Sequence, residues 1–478
     1  MKGMKKFSRM IYILAAAAVL IVPQALNAAI TVNGNVEARN QSGVHEGDVY
    51  RNYLRADVEL GESLNNTVVK VILRAEDDTI RPEKVDKEVD KIDANPANDI
   101  TVSQRNYLDD SYDGPQRVYL REAYISHDIY FDSIIDSVNL KMGRIIYTWG
   151  NADEQKPVDI INPQDYSNLY FTPIQDRKIG VFSGSMSVFF TENFFIEGVV
   201  IPEFRSSEIA TTVFTTDEVK RLQENQIFDL QDPETPDKKN QENSYAGRIG
   251  LMIFDVDMHA NYYYGYDHLP VNRFKMAVMP PITQDSIVVT PEYEKIQMFG
   301  FDFQRALFFG ITLRGEGAYF DRGKYFYYDS ESPTANPLQS PLFADIMSNG
   351  NGSIEKDYVY YTAGFDDHDF IFDDLYVNLQ FSQKRIMDYE DTLAQDKYVN
   401  HILWTVKYFM LNKKFCISTK GAYNLKEKAT YANGEFLVKF TDNFEFMLGG
   451  WVLEGDEDTE IGQFDHNDMV YVAGKLTF

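Results

Sequence analysis

The seven histidines, the side chains best suited to acid–base or metal chemistry near neutral pH, are scattered at His45, His127, His259, His268, His368, His401 and His466. No two stand as a His-x3-His pair for zinc. There is no Gly-x-Ser-x-Gly elbow to present a nucleophile and no phosphate-cradling loop. Any histidine near any aspartate could be read as a hydrolytic pair, so that reading has little content. The lone Cys416 excludes an intrachain disulfide and reads as a strand residue rather than a nucleophile. Asp456-Glu457-Asp458, with Glu460, Asp465 and Asp468, could hold calcium but lacks the calcium-loop spacing, and a solvated acidic loop is the plainer reading. The expectation is a non-enzyme with no catalytic residue, no metal and no cofactor.

The most distinctive stretch is Gly143-Arg144-Ile145-Ile146-Tyr147-Thr148-Trp149-Gly150, followed by Asn162-Pro163-Gln164-Asp165. Arg144, Asp153, Asp159, Asp165, Arg177 and Lys178 put both signs of charge around it. Opposed charges across a narrow wet passage make a transverse field, which orders water and selects solutes by charge and dipole. The plainer alternative is that Trp149 and the Asn-Pro turn pack a loop against a wall. The choice depends on the elements that carry these residues.

Those elements begin with a secretion signal over residues 1–28. Lys2, Lys5, Lys6 and Arg9 precede an apolar run from Met10 to Val22; Pro23 breaks it, and Leu26-Asn27-Ala28 ends on the small residue a signal peptidase requires. Removing these four cations takes the net charge from −27 to −31, which argues against nucleic acid as a partner. No later run approaches the roughly 18 apolar residues of a membrane helix. Residues 29–478 instead break into about eighteen runs of period-two alternation, each about 10–12 residues long. Leu54, Ala56, Val58 and Leu60 alternate with Arg55, Asp57 and Glu59; Val69, Val71, Leu73 and Ala75 alternate with Lys70, Arg74 and Glu76. A soluble antiparallel sheet also has one wet face. Two further features separate the cases.

Connections alternate between short (61–65, 131–135, 191–193, 255, 307–308) and long (41–49, 78–115, 147–177, 205–243, 268–292), as in outer-membrane barrels. Phenylalanines cluster beside the short turns and tyrosines beside the long loops, giving two interfacial aromatic belts. Two short turns nearly repeat, Phe190-Thr191-Glu192-Asn193-Phe194 and Phe440-Thr441-Asp442-Asn443-Phe444. The chain ends on alternating Val470, Val472, Gly474, Leu476 and Phe478, which resembles the C-terminal signature read by the barrel-insertion machinery. The expected fold is therefore all-β, a transmembrane antiparallel up-and-down barrel of eighteen strands, with sixteen as the fallback. Alternation falters where Leu120, Glu122 and Tyr124 share a parity, as do Met142 and Arg144; a bulge or a strand rim accounts for either. Residues 82–92 and 215–228 read as short surface helices in loops.

Gly-Arg-x4-Trp-Gly with a downstream Asn-Pro-x-Asp resembles a porin-like family of Gram-negative outer-membrane proteins whose function is largely unassigned. Leu120-Arg121-Glu122-Ala123-Tyr124 and Thr191-Glu192-Asn193 are similar to it as well. The resemblance covers roughly residues 118–204 and implies fold, location and transport, but no substrate. Counting strands makes 147–177 the third long loop. In general porins, which the chain resembles in architecture, that loop folds into the lumen and narrows the pore. The expected constriction is then Arg144, Asp153, Asp159, Asp165, Arg177 and Lys178. The expected lumen lining includes Arg55, Asp57, Glu59, Arg74, Glu76, Arg314, Glu316, Glu435 and Lys439.

An eighteen-strand circumference leaves an aqueous lumen unless a loop plugs it. The sequence thus points to an outer-membrane channel for passive or facilitated diffusion of small solutes in a Gram-negative bacterium. Two other readings stay open: a barrel scaffold or export channel for a partner complex, such as an electron conduit or polysaccharide export, and a surface structural or adhesion barrel. Expected partners are outer-membrane lipid and lipopolysaccharide, the insertion machinery through Phe478, small solutes, and further copies of the chain.

Overall fold

Strand after strand reads polar inward and apolar outward, and such a ribbon leaves no unpaired edge only by closing on itself. A computed structural model describes residues 30–44, 49–79, 116–169, 171–209, 228–231, 233–236, 243–276, 287–327, 345, 352–368, 373–393, 395–457 and 459–478. The secretion signal and both surface helices expected in loops lie outside these residues, except that Phe228 opens a short strand.

The strands run β1 Thr31–Gly43, β2 Val49–Leu64, β3 Thr67–Asp78, β4 Gln116–Tyr130, β5 Ser137–Ile145, β6 Val181–Thr191 and β7 Phe194–Ile201. Then follow β8 Phe228–Leu230, β9 Ser244–Ile253, β10 Val256–Tyr266, β11 Val271–Met276, β12 Ile287–Glu292, β13 Lys295–Ala306 and β14 Thr312–Tyr327. The last are β15 Ser353–His368, β16 Leu375–Ile386, β17 Tyr398–Met410, β18 Phe415–Asn424, β19 Thr430–Thr441, β20 Phe444–Glu454 and β21 Met469–Thr477. Eighteen of them form one sheet in which each pairs antiparallel with its neighbour in the chain, and β1 pairs with β21. The barrel is closed, with eighteen strands as expected. At the seam Gly34 N–H donates to Phe478 O at 2.9 Å and Phe478 N–H returns a bond to Gly34 O at 3.0 Å. The three remaining strands, β8, β11 and β12, make a small separate sheet in the long connections.

The alternation sorts as the sequence implies. Outward positions such as Ile125, Met142, Met186, Phe299, Phe365, Leu379, Leu448 and Val472 stay exposed, although all are apolar. An apolar belt of that extent has no place in water. Inward positions are polar and buried: Arg51, Arg55 and Asp57 on β2, Arg74, Glu76 and Asp78 on β3, Glu316 on β14. They pair across strands, with Arg74 Nε to Asp57 Oδ1 at 2.6 Å and Arg117 Nε to Glu76 Oε2 at 2.6 Å.

The faltering strand β4 contains a bulge. Ile72 pairs with Glu122 but Leu73 pairs with Leu120, so Arg121 is the extra residue and the parity flips around it. Leu120 therefore faces out while Glu122 faces in. The two repeated short turns fold alike. Each begins with a register shift, after Phe189 in one and Lys439 in the other. Thr191 Oγ1 accepts from Asn193 N at 3.2 Å, and Thr441 Oγ1 accepts from Asn443 N at 3.3 Å. The flanking rings stack, Phe190 on Phe194 at 5.2 Å and Phe440 on Phe444 at 5.9 Å.

Candidate functional site

The third long connection, between β5 and β6, turns into the barrel. Trp149, Val158 and Ile161 are each 2% exposed or less, which places this connection inside rather than over the rim. The residues of its distinctive motif account for the path. Gly143 has φ of +142°, and a Cβ there would lie 2.1 Å from Ala123 O, so only glycine lets β5 approach β4 so closely. Asn162 closes the base of the loop: its Oδ1 accepts from Tyr147 N at 2.7 Å, and its Nδ2 donates to Ile145 O at 3.0 Å and Ile179 O at 2.9 Å. Trp149 packs into the principal apolar cluster, with the Arg248 guanidinium 5.2 Å from its ring centre.

Beyond Trp149 the loop crosses to the far wall. Gly150, at φ of +78°, aims the following N–H groups at Glu316 of β14. Asn151 N and Ala152 N donate to Glu316 Oε2 at 2.7 and 2.9 Å. Asn151 Nδ2 donates to Asp302 Oδ1 of β13 at 2.8 Å, and Arg314 Nη1 donates to Asn151 O at 3.0 Å. Thr362 of β15 donates to Gln155 O at 3.0 Å, and Lys420 of β18 reaches Glu154 at 3.3 Å. On the return limb Phe171 packs on Trp451 of β20 at 4.9 Å. The helical turn Ile174–Arg177 then puts Asp176 among three arginines of the near wall: Arg55 at 3.0 Å, Arg74 at 3.3 Å and Arg121 at 3.9 Å. The loop is thus held from β2–β4 on one side and β13–β18 on the other.

The electrostatics follow from enclosure. Burial pushes the Asp176 carboxyl up, but Arg55, Arg74 and Arg121 together outweigh it and hold the group below the usual carboxylate range. Burial pushes Asp159 up and Lys178 down, each resisted by the other, because the two form a direct ion pair. The segment after β7 lies against the loop. Glu208 pairs with Arg117 at 3.0 Å, and Ser207 Oγ accepts from Gln164 N at 3.0 Å. His268, just past β10, faces Arg205 O at 2.8 Å and Ile161 O at 3.1 Å with its two ring nitrogens, and burial holds its pKa below the ordinary value.

Asp153, Asp159, Asp165, Arg177 and Lys178 all lie in this crossing loop or at its foot. Arg144 does not join them. It pairs with Ala123 and with exposed Phe182, on the outer face it shares with Leu140 and Met142. There it reaches Glu203 at 3.6 Å and Leu120 O at 3.4 Å. The correction is one of parity: Gly143 points into the lumen, so the next residue must point out. Arg55, Asp57, Glu59, Arg74, Glu76, Arg314, Glu316, Glu435 and Lys439 sit at lumen-facing registers. Sequence reasoning passed over Asp176, Arg117, Arg121, Glu208 and Asp302. The bulge hid Arg121, and nothing in the spacing marks Glu208 as a partner for a residue 91 positions away.

A family model described as a protein of unknown function (DUF1302) matches residues 14–445. No curated protein matches the chain. Among solved structures it is similar to the outer membrane channel DcaP of Acinetobacter baumannii, at 9% identity over 94% of this chain and 97% of that one, with a TM-score of 0.42. It is similar also to OccAB1 of the same organism, at 9% identity over 95% and 96% of the two chains and a TM-score of 0.47. A third is OmpF of Salmonella typhi in complex with daunomycin, at 7% identity over 94% and 98% and a TM-score of 0.39.

Proposed function

The chain belongs to the DUF1302 family of proteins of unknown function, and from its architecture we propose that it is an outer-membrane channel for diffusion of small polar solutes. In this reading the loop between β5 and β6 sets the narrowest section. The apolar belt meets lipid, the short turns face the periplasm and the long connections face the medium. The supporting observation is the placement of that loop: a charged segment crosses the lumen and is pinned to both walls by hydrogen bonds and ion pairs. A segment that only filled space would be served better by apolar packing, since buried ion pairs are costly to desolvate. Charges on both sides of a narrow wet path select solutes instead. The arginines of β2–β4 face Asp176 and Asp165, while Glu316 and Asp302 lie on the opposite wall.

The test is planar-bilayer conductance in potassium chloride. The purified barrel should give discrete current steps, and deletion of residues 151–158 should give larger ones. Silence from both proteins at every voltage would sink the channel reading and leave a sealed structural barrel.

A further inference from the structure

Between β4 and β6 the wall of the barrel has a gap. β4 pairs with β3 from Thr67↔His127 to Asp77↔Gln116, but with β5 only from Tyr130↔Ser137 to Ala123↔Arg144. β5 ends at Ile145, opposite Val181 of β6, and the chain then turns inward, with Ile146 N–H donating to Glu122 Oε1 at 3.2 Å. Gln116–Glu122 of β4 therefore have no strand beside them on that side. A missing strand leaves about 10 Å between its neighbours, two strand spacings. Leu120 and Val118, the outward residues of this stretch, are apolar, and Gln116 is the first polar one. The gap thus opens at the level of the outward apolar belt, below the polar rim.

One glycine and two side chains fill it. Gly180 leans on the bare edge: a Cβ there would lie 2.5 Å from Arg121 O and 2.9 Å from Arg144 Cγ. Among the described residues no backbone hydrogen bond joins Gly180 to β4. Instead Arg144 Nη1 donates to Leu120 O at 3.4 Å, and Arg205 Nη1 donates to Gly180 O at 3.0 Å. The space left is a cavity of about 20 Å³, room for about one water, reaching from Leu120 and Gly180 to Asp165, Asp176 and Arg177 of the crossing loop. Parting two fully paired strands breaks a ladder of backbone bonds that lipid cannot replace. Here the wall parts when Gly180 and two arginine side chains move.

On the outside the gap leads down into an apolar groove. Met142 and Gly184 lie one outward position below Arg144 and Phe182, and with Met186, Gly198, Val200 and Tyr245 they line a hollow of about 710 Å³ in the outer wall. A Cβ on Gly198 would meet nothing within 4 Å, so this glycine forms an open floor. The volume lies within the range of about 300–1,000 Å³ typical of small-molecule sites.

From the unpaired gap and the groove below it we infer that the barrel has a lateral window, through which a single-chain amphiphile passes from the lumen to the outer face, its head at the window and its hydrocarbon tail in the groove. The charges at the window pair among themselves: Arg144 with Glu203 at 3.6 Å, Arg117 with Glu208 at 3.0 Å, and Arg121 with Asp176 at 3.9 Å. The tail, not the sign of the head, is therefore what the site selects. A solute without a tail gains nothing from the groove and stays in the lumen. The inference rests on the channel reading only for the barrel's place in a membrane.

The experiment uses Arg144→Cys with Gly180→Cys in a Cys416→Ser background. Arg144 Cγ lies 2.9 Å from the Cβ position of Gly180, so a disulfide there pins Gly180 in the gap. Cells carrying this barrel are given radiolabelled dodecanoate or butyrate, first oxidised and then reduced. Oxidation should lower dodecanoate uptake by at least about fivefold, because no paired part of the wall lets a tail through. Butyrate uptake and potassium chloride current steps should be the same in both states. Equal dodecanoate uptake in the two states would overturn the proposal, as would a parallel fall in butyrate, or dodecanoate uptake no greater than in cells lacking the barrel. Should the pair fail to oxidise or the variant fail to insert, photolabelling of the unaltered barrel in liposomes with a diazirine-tailed dodecanoate decides. Adducts should gather on Leu120, Met142 and Met186, and labelling spread evenly to Leu379 and Leu448 would overturn the window. Redox-sensitive uptake by a barrel without current steps removes the channel and leaves the window, whereas current steps with redox-insensitive uptake do the reverse.

Discussion

Glu316→Ala takes away the carboxylate that Asn151 N–H and Ala152 N–H share at 2.7 and 2.9 Å, and leaves two loop donors facing a void. Bonds to a charged acceptor contribute about 1.5–3 kcal/mol each and do not add fully. A loss of about 2–3 kcal/mol in unfolding free energy is expected, with noisier current from a loosened loop, while Glu316→Gln should retain much of both. Gly150 bears on the same contact. A Cβ there would lie 2.2 Å from Glu316 Oε2 on a backbone at φ of +78°, so Gly150→Ala should displace the loop tip, measurable as altered conductance. His268 sets a pH dependence. Burial holds its folded pKa below the ordinary 6.5, so the unfolded chain takes up the proton first as pH falls. Its contribution to stability is therefore complete above about 6.5 and declines below that. The stability gap between the unaltered protein and His268→Gln, measured by denaturant unfolding, should narrow from pH 7 to pH 5; a constant gap would rule this out.

Among the elements, the crossing loop and the two repeated turns behave differently. Phe190–Phe194 and Phe440–Phe444 share a bulge, a threonine-capped turn and a stacked ring pair, because both solve the same local problem of reversing the chain at an interface. Thr441 Oγ1 also accepts from Phe444 N at 3.0 Å, so Thr191→Ala and Thr441→Ala should each cost about 0.5–1.5 kcal/mol, Thr441→Ala the more, when thermal unfolding of the two variants is compared. A larger loss at Thr191 than at Thr441 would show that the surroundings, not the turn, set the conformation. The loop instead depends on walls distant in sequence. Asp176→Asn weakens its hold on Arg55, Arg74 and Arg121 at once. The expected result is larger or more variable current steps from a barrel that still assembles.

For the whole molecule, the two faces predict opposite tolerances. Leu379 points outward at 41% exposure, and Thr405, at the next register across β16 and β17, points into the lumen near Lys420. Leu379→Arg should cost up to about 2–4 kcal/mol in lipid, depending on depth. Thr405→Glu should stay within about 0.5 kcal/mol, since water and Lys420 accommodate it. Reversible unfolding in liposomes measures both. Closure itself rests on the β1–β21 seam, where backbone bonds between Gly34 and Phe478 engage the last residue of the chain. Removing Phe478 withdraws those bonds and exposes an edge in an environment with no water to satisfy it.

What residue order alone determined is the part governed by local physics. Alternation of period two showed which face of the regular strands is wet, though not across the bulge of β4; the spacing of turn residues gave eighteen strands, and parity placed Arg55, Asp57, Arg74 and Glu76 in the lumen. It also marked Gly143 to Gly150 and Asn162 as a special segment, whose glycines and asparagine build the loop. Parity put Arg144 on the face of Met142, as the structure does; the error was to assign it to the constriction by its nearness to the loop in spite of that register. Only the tertiary structure decided where the loop goes and what it touches. Glu316 lies 164 residues from the amide of Ala152, and Glu208 lies 91 from Arg117. Such contacts are set by closure of the barrel, which brings distant strands to opposite walls, and no periodicity in the chain encodes that distance.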